Sequence, residues 1–149
     1  MEPQNLIEKI NDSLAHPMAQ VTDFVDENGV RTFRDAVSGK VVKTLTICNG
    51  GVSEEQIKAW KAEHRKVHLI EVEDDGELFV GYFRRPDMET MSAVNKVAKT
   101  DEVKGSSVMF DNCWLGGDPV LKTDIVVRMT AIRQLSQIFN RVHGELKNL

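Results

Sequence analysis

Apolar residues recur with a period near two through the first half of this chain and with a period near 3.6 through much of the second. Val41-Val42-Lys43-Thr44-Leu45-Thr46-Ile47 is rich in β-branched residues and alternates. Before it, Val21, Phe24 and Val25 are followed by a run from 30 to 37, with Asn28-Gly29 and Ser38-Gly39 in the gaps. Glycine reaches the positive φ of a tight turn without a Cβ penalty, so these segments predict a β meander. Val67, Leu69 and Val72, then Asp74-Asp75-Gly76-Glu77, then a run from Leu78 to Phe83 predict a hairpin on the same grounds. After Arg85-Pro86-Asp87 the period changes: Met88, Met91, Val94, Val97 and Ala98 fall on one helical face. Strands clustered early and helices late favour an α+β fold over a doubly wound α/β sheet, which alternates the two.

Helix signals complete the outline. Leu6, Ile7, Ile10 and Leu14 form an apolar stripe ahead of Pro17, predicting a first helix that stops before the proline. Ser53 with Gln56 three residues on is a capping-box pattern, predicting a helix from 54 to about 65. Asp87 is placed to cap a helix over about 88–99, and Thr100-Asp101 repeats the logic for a second one. That second helix draws apolar bulk from Val103, Val108, Phe110 and Trp114 and stops at Gly116-Gly117. Ile125, Val126, Met129, Ile132, Leu135, Ile138, Phe139 and Val142 predict a third helix from near 123 to about 143. The expected order is an N-terminal helix and β meander, then a helix, a β-hairpin and three C-terminal helices. Gly50-Gly51 suggests a boundary between an N-terminal unit, 1–50, and a C-terminal module, 51–149, within what is also readable as one compact domain.

Charge and hydropathy exclude several partners. With 19 basic against 23 acidic residues and the signs interspersed, the formal charge is −4 and the usual electrostatic footprint for nucleic acid is missing. The basic cluster around Lys61 to Lys66 is broken by Glu63, and Arg84-Arg85 reads as a pair rather than a patch. No window approaches the roughly 18 apolar residues of a membrane span, and MEPQNLIEKIND is acidic where a signal peptide is basic, so a cytoplasmic protein is expected. Cys48 and Cys113 form no disulfide framework and are read as reduced thiols.

The candidate chemistry is weak at every point. His64 and His68 have the spacing of two ligands on one helical turn, with Cys48, Cys113 or His143 as further zinc donors. The helical pattern yields to a strand near Val67, however, and would aim the rings apart. Cys113 with a histidine has the elements of a nucleophile and base, yet it sits among Phe110, Trp114 and Leu115, where a small buried hydrophobe is the more frequent role. Asp74, Asp75 and Glu77 lack the alternating ligands of a calcium loop, and Gly116-Gly117 lacks the lysine of a phosphate loop. The sequence therefore names no catalytic residue, metal or cofactor. Met88 and Met91, one turn apart, suit an adaptable binding surface.

Two segments carry a resemblance: VGYFRRPDMETMSA at 80–93, and FDNCWLGGD at 110–118 with Lys122-Thr123-Asp124 after it. They resemble a family of small bacteriophage and prophage proteins, tail assembly chaperones or their neighbours in tail gene clusters, over about 56–142. The shared pattern is a strand, a Y-F-[KR]-R-P turn, two helices, an N-C-W-[LI]-G-G-D corner and a closing helix. The resemblance implies a non-enzymatic protein of the bacterial host cytoplasm that binds a phage tail protein, the tape measure or the tube subunit, before assembly. Charge and hydropathy leave no membrane or nucleic-acid partner expected, and a homo-oligomer is open. Met88, Met91, Phe110, Trp114 and Leu115 would face the partner, while Asn112, Gly116, Gly117 and Asp118 would hold the corner in shape. The alternative is a structural virion component, such as a tube or completion protein; a small enzyme ranks below both.

Overall fold

The computed structural model describes residues 20–149, so the helix expected over 6–14 lies outside the described residues. Among the described residues the fold is α+β, a six-stranded sheet with five α-helices. Strands β1 (Val21–Val25), β2 (Val30–Asp35) and β3 (Val41–Cys48) form the antiparallel meander. Gly29 at φ 77 and Gly39 at φ 71 make its two turns. Helix α1 (Glu54–Glu63) starts where the Ser53 hydroxyl accepts from the Gln56 amide at 3.2 Å. It leads to the hairpin of β4 (Val67–Asp74) and β5 (Glu77–Arg84). Asp75 at φ 48 and Gly76 at φ 79 both occupy the left-handed region, the geometry of a type I′ two-residue turn whose twist matches the strands it joins.

The sheet order is β1-β2-β3-β5-β4, and β3 pairs with β5 in parallel over Thr46↔Glu77 to Cys48↔Phe79. One sheet therefore runs across Gly50-Gly51, where the sequence suggests a boundary. Long side chains reach across it: Arg31 of β2 and Glu71 of β4 lie three strands apart, yet Arg31 Nη1 is 3.5 Å from Glu71 Oε2.

Each face of β5 builds a separate core by strict alternation. Leu78 and Val80 join Phe33 and Leu45 on one face, with Leu69 and Tyr82 packed against them. Phe79 and Phe83 point to the helices and join Ile70 and Val72 of β4. Helices α2 (Met88–Ala98) and α3 (Glu102–Cys113) start on the predicted aspartates, Asp87 accepting from the Thr90 amide at 2.7 Å and Asp101 from the Lys104 amide at 3.1 Å. Gly105 lets these two helices approach, since a Cβ there would meet the Ala98 Cβ at 2.8 Å.

The C-terminal third departs from expectation twice. Helix α3 ends at Cys113, and Trp114–Gly117 is not its last turn but a sixth strand, β6, antiparallel to β5 over Gly81↔Gly117 and Tyr82↔Gly116. The edge of β5 that β3 leaves at Phe79 is taken up by β6 from Gly81 onward. The long third helix is also divided. A short α4 (Val120–Thr123) precedes α5 (Ile125–Ser136), and a 3₁₀ turn covers Gln137–Arg141. The break falls at Asp124, whose carboxylate accepts from the Val126 and Val127 amides at 3.0 and 3.1 Å and so starts a new helix inside the apolar stripe. The stripe divides accordingly. Val127, Ala131, Ile132, Leu135 and Ile138 enter the core, while Ile125, Val126, Phe139 and Val142 are exposed.

Candidate functional site: a groove between two glycine pairs

Past Cys48 the chain turns through Asn49, whose Oδ1 accepts from the Gly51 amide at 3.0 Å and whose Nδ2 donates to the Val52 carbonyl at 3.1 Å. Gly50 at φ 69 and Gly51 at φ 77 complete the turn. This brings Gly50 against the end of β6. A Cβ on Gly50 would stand 2.1 Å from the Gly117 carbonyl oxygen, and one on Gly117 would stand 2.4 Å from that of Val80. The two glycine doublets, separate in the sequence, thus meet as backbone against backbone.

Between this turn, the start of α1 and β6 lies a groove of about 500 Å³, lined by Gly50, Gly51, Val52, Ser53, Gln56, Trp60, Trp114, Leu115, Gly116 and Gly117. Trp60 reaches it from α1. Its ring lies 5.5 Å from that of Tyr82 and above Gly116, where a Cβ would meet the indole at 2.6 Å. Trp114 reaches it from the other side, held by Phe83 at 5.4 Å edge-on, Phe110 at 5.8 Å and the Lys122 ammonium 5.2 Å over its ring. Both indoles are half-buried. β6 pairs with β5 alone, so its other edge pairs with no strand of the described residues. None of the ten lining side chains is an acid or base that titrates near neutral pH.

Two thiols and a phenol lie nearby, and burial favours the neutral form of each. Burial raises the Cys48 thiol, helped by its contact with Glu77, and burial raises Cys113. Burial also raises the Tyr82 phenol, with the Glu71 charge adding to it. A thiol kept protonated is a poor nucleophile. His64 caps the end of α1 and His68 lies in β4, on different elements. Among the described residues no three His, Cys, Asp or Glu side chains converge as a metal site would require.

The groove brings together only part of the set expected from sequence. Trp114, Leu115, Gly116 and Gly117 line it. Met88 is 84% exposed at the start of α2, and Met91 is half-buried. Phe110 is fully buried between Phe83 and Trp114, so its ring serves the core and faces no partner. Among the corner residues, Asp118 accepts from the Val120 amide at 2.9 Å and donates its own amide to Val80 at 3.0 Å, which ties β6 to α4. Asn112 does not hold the corner; it is exposed and bonds back to Val108 within its own helix. Sequence reasoning missed Trp60, Val52, Gln56 and the Gly50-Gly51 wall, because each belongs to a segment readable only as a helix start or a linker. Comparison of the chain with protein-family models, curated proteins and solved structures found no match. Among the described residues no helix is long and apolar enough to cross a membrane.

Proposed function

We propose that this protein acts by binding, in the manner of a phage tail assembly chaperone. It would hold an apolar segment of a tail protein, such as the tape measure protein, in the bacterial cytoplasm until assembly buries it. The observation that carries this reading is the lining of the groove: two half-buried tryptophans, Val52 and Leu115 among glycines, and no titratable side chain. Tryptophan in a partly desolvated cleft is the side chain most often found to anchor a partner. Ahead of the Gly50 contact at Gly117, the edge of β6 that pairs with no strand of the described residues offers backbone groups to an extended segment, and the groove beside it offers room for side chains. Acid–base or nucleophilic catalysis would need a perturbed titratable group facing the cleft.

The test is a tagged pull-down from cells that co-express the neighbouring tail genes, with mass spectrometry of the retained proteins and of finished particles. The parent is expected to retain the tape measure or tube protein and to be missing from particles. Trp60→Ala and Leu115→Asp, each checked for parental circular dichroism, are expected to lose that partner. Retention undiminished in both folded variants refutes the groove as the binding site. Recovery of the chain in finished particles refutes the chaperone role in favour of a structural component.

A further inference from the structure

At the opposite end of α1 the fold assembles a second site from two stretches that are distant in sequence. The hairpin register pairs Val67 with Arg84. It therefore sets Arg65 and Lys66, just before β4, beside Arg84 and Arg85 at the end of β5. Together with Glu63 and His64 these residues line a pocket of about 310 Å³. Four permanent cations face one carboxylate there, in a chain whose formal charge is −4.

The cations are not equally committed. Arg84 is fixed within the fold, donating to the Arg85 carbonyl at 3.0 Å and to Thr90 Oγ1 at 3.1 Å, with Asp87 3.7 Å away. Arg85 is held differently. Its Nε donates to His68 Nε2 at 3.3 Å, and no carboxylate of the described residues pairs with it. The guanidinium is thereby aimed, while among the described residues its two terminal nitrogens have no partner, the fork that matches an oxyanion in two parallel hydrogen bonds. Arg65 and Lys66 are exposed and take part in no ion pair among the described residues. The carboxyl end of α1 favours nearby cations through the helix dipole, which accounts for Arg65 and Lys66. It does not account for Arg84-Arg85, which arrive from another element.

We infer that this pocket binds a phosphate-class oxyanion, with Arg85 as the bidentate anchor and Arg65 and Lys66 closing around it. Its volume lies at the small end of ligand pockets, about 300–1,000 Å³, so the ligand is a free phosphate ion or the phosphate group of a small metabolite. The inference is independent of the groove, which lies at the other end of the helix.

The full chain, labelled with ¹⁵N, is titrated with inorganic phosphate and separately with ATP, at constant ionic strength and with sodium chloride as the control. Saturable amide shifts are expected around 63–68 and 84–86 with phosphate or ATP and not with chloride. Arg85→Gln is expected to weaken binding at least about tenfold, the equivalent of losing one charge-assisted hydrogen bond. Because Arg85 also touches His68, the exposed pair Arg65→Gln/Lys66→Gln is tested beside it and is expected to weaken binding as well. Lys96→Gln, on α2, is expected to leave it unchanged. Tighter binding of ATP identifies a metabolite phosphate and equal binding the free ion; both uphold the site. Shifts equal to those in chloride, or parental affinity in both folded variants, overturn it. So does an oligonucleotide that binds where phosphate and ATP are silent, since that would make the patch a nucleic-acid surface.

Discussion

Gly50 and Gly51 allow the close approach of β3 and β6 to be tested against an internal control. Both have positive φ, 69 and 77, so alanine at either position incurs a similar backbone cost, about 1–2 kcal/mol. They differ in what a Cβ would meet. At Gly51 there is nothing within 4 Å, whereas at Gly50 the new carbon would stand 2.1 Å from the Gly117 oxygen, 2.5 Å from its carbonyl carbon and 3.0 Å from the Asp118 nitrogen. All three are backbone atoms, and the Gly117–Asp118 backbone is pinned to β5 by its pairing with Gly81 and by the Asp118 amide on the Val80 carbonyl at 3.0 Å. The neighbour cannot swing aside as a side-chain tip would, so overpacking adds about 1–3 kcal/mol. Gly51→Ala is then expected to cost about 1–2 kcal/mol and Gly50→Ala about 2–5 kcal/mol. Urea unfolding followed by far-UV circular dichroism, analysed at a common m-value, measures both. Each kcal/mol also lowers Tm by about 3 °C in a chain of this size. Since the two tryptophans line the groove that this contact floors, Gly50→Ala should shift the native fluorescence maximum and Gly51→Ala should not. Equal costs for the two substitutions, with equal spectra, would refute the contact and the groove built on it.

Trp114→Ala removes the ring shared by Phe83, Phe110 and Lys122; because the indole is half-buried, a loss of about 3 kcal/mol is expected by urea unfolding, the low end for a large aromatic. Asp124→Ala leaves the Val126 and Val127 amides without their acceptor and is expected to cost about 1 kcal/mol, with Asp124→Asn recovering most of it. Burial raises the Glu71 carboxyl above its ordinary 4.5, more than Arg31 beside it lowers it. A folded pKa above the unfolded one gives stability that is complete below the unfolded value and lost as pH rises through the folded one. The parent should therefore lose stability relative to Glu71→Gln between pH 4.5 and neutrality, measured as urea midpoints across that range. A difference constant with pH would count against the buried charge.

Features encoded within four residues of one another were legible in the sequence. The turns at Gly29, Gly39 and Gly76 follow from positive φ, and the caps at Ser53, Asp87 and Asp101 from a side-chain oxygen placed three residues before an orphan amide. Asp124 carries the same local signal but lies inside an apolar stripe whose 3.6-residue period runs on past it. β6 offered no local signal at all. Trp-Leu-Gly-Gly after a helix reads as a stop. It becomes a strand because β5 has a vacant edge beyond Phe79 and because glycines let it sit against Gly81 and Trp60. The parallel pairing of β3 with β5 is likewise invisible, being a contact between elements that a helix and a strand separate.

The two candidate sites differ in this respect. Gly50-Gly51 and Gly116-Gly117 are each explained by a local reading, as a linker and as a helix stop, and nothing in either segment shows that it needs the other. Their meeting depends on the whole sheet. The basic pocket required only the hairpin. Once Asp75-Gly76 is read as a two-residue turn, Asp74 must pair with Glu77, and the register then runs without interruption to Val67 opposite Arg84. Lys66 and Arg85, the next residues outward, must lie side by side. What read as a broken run and an isolated pair is one patch when the hairpin is closed, so the net charge of −4 was a poor guide to it. An overall acidic balance limits long-range attraction of polyanions, whereas a pocket of this size is governed by the charges within a Debye length of about 10 Å. It is there that Arg65, Lys66 and Arg85 outweigh Glu63.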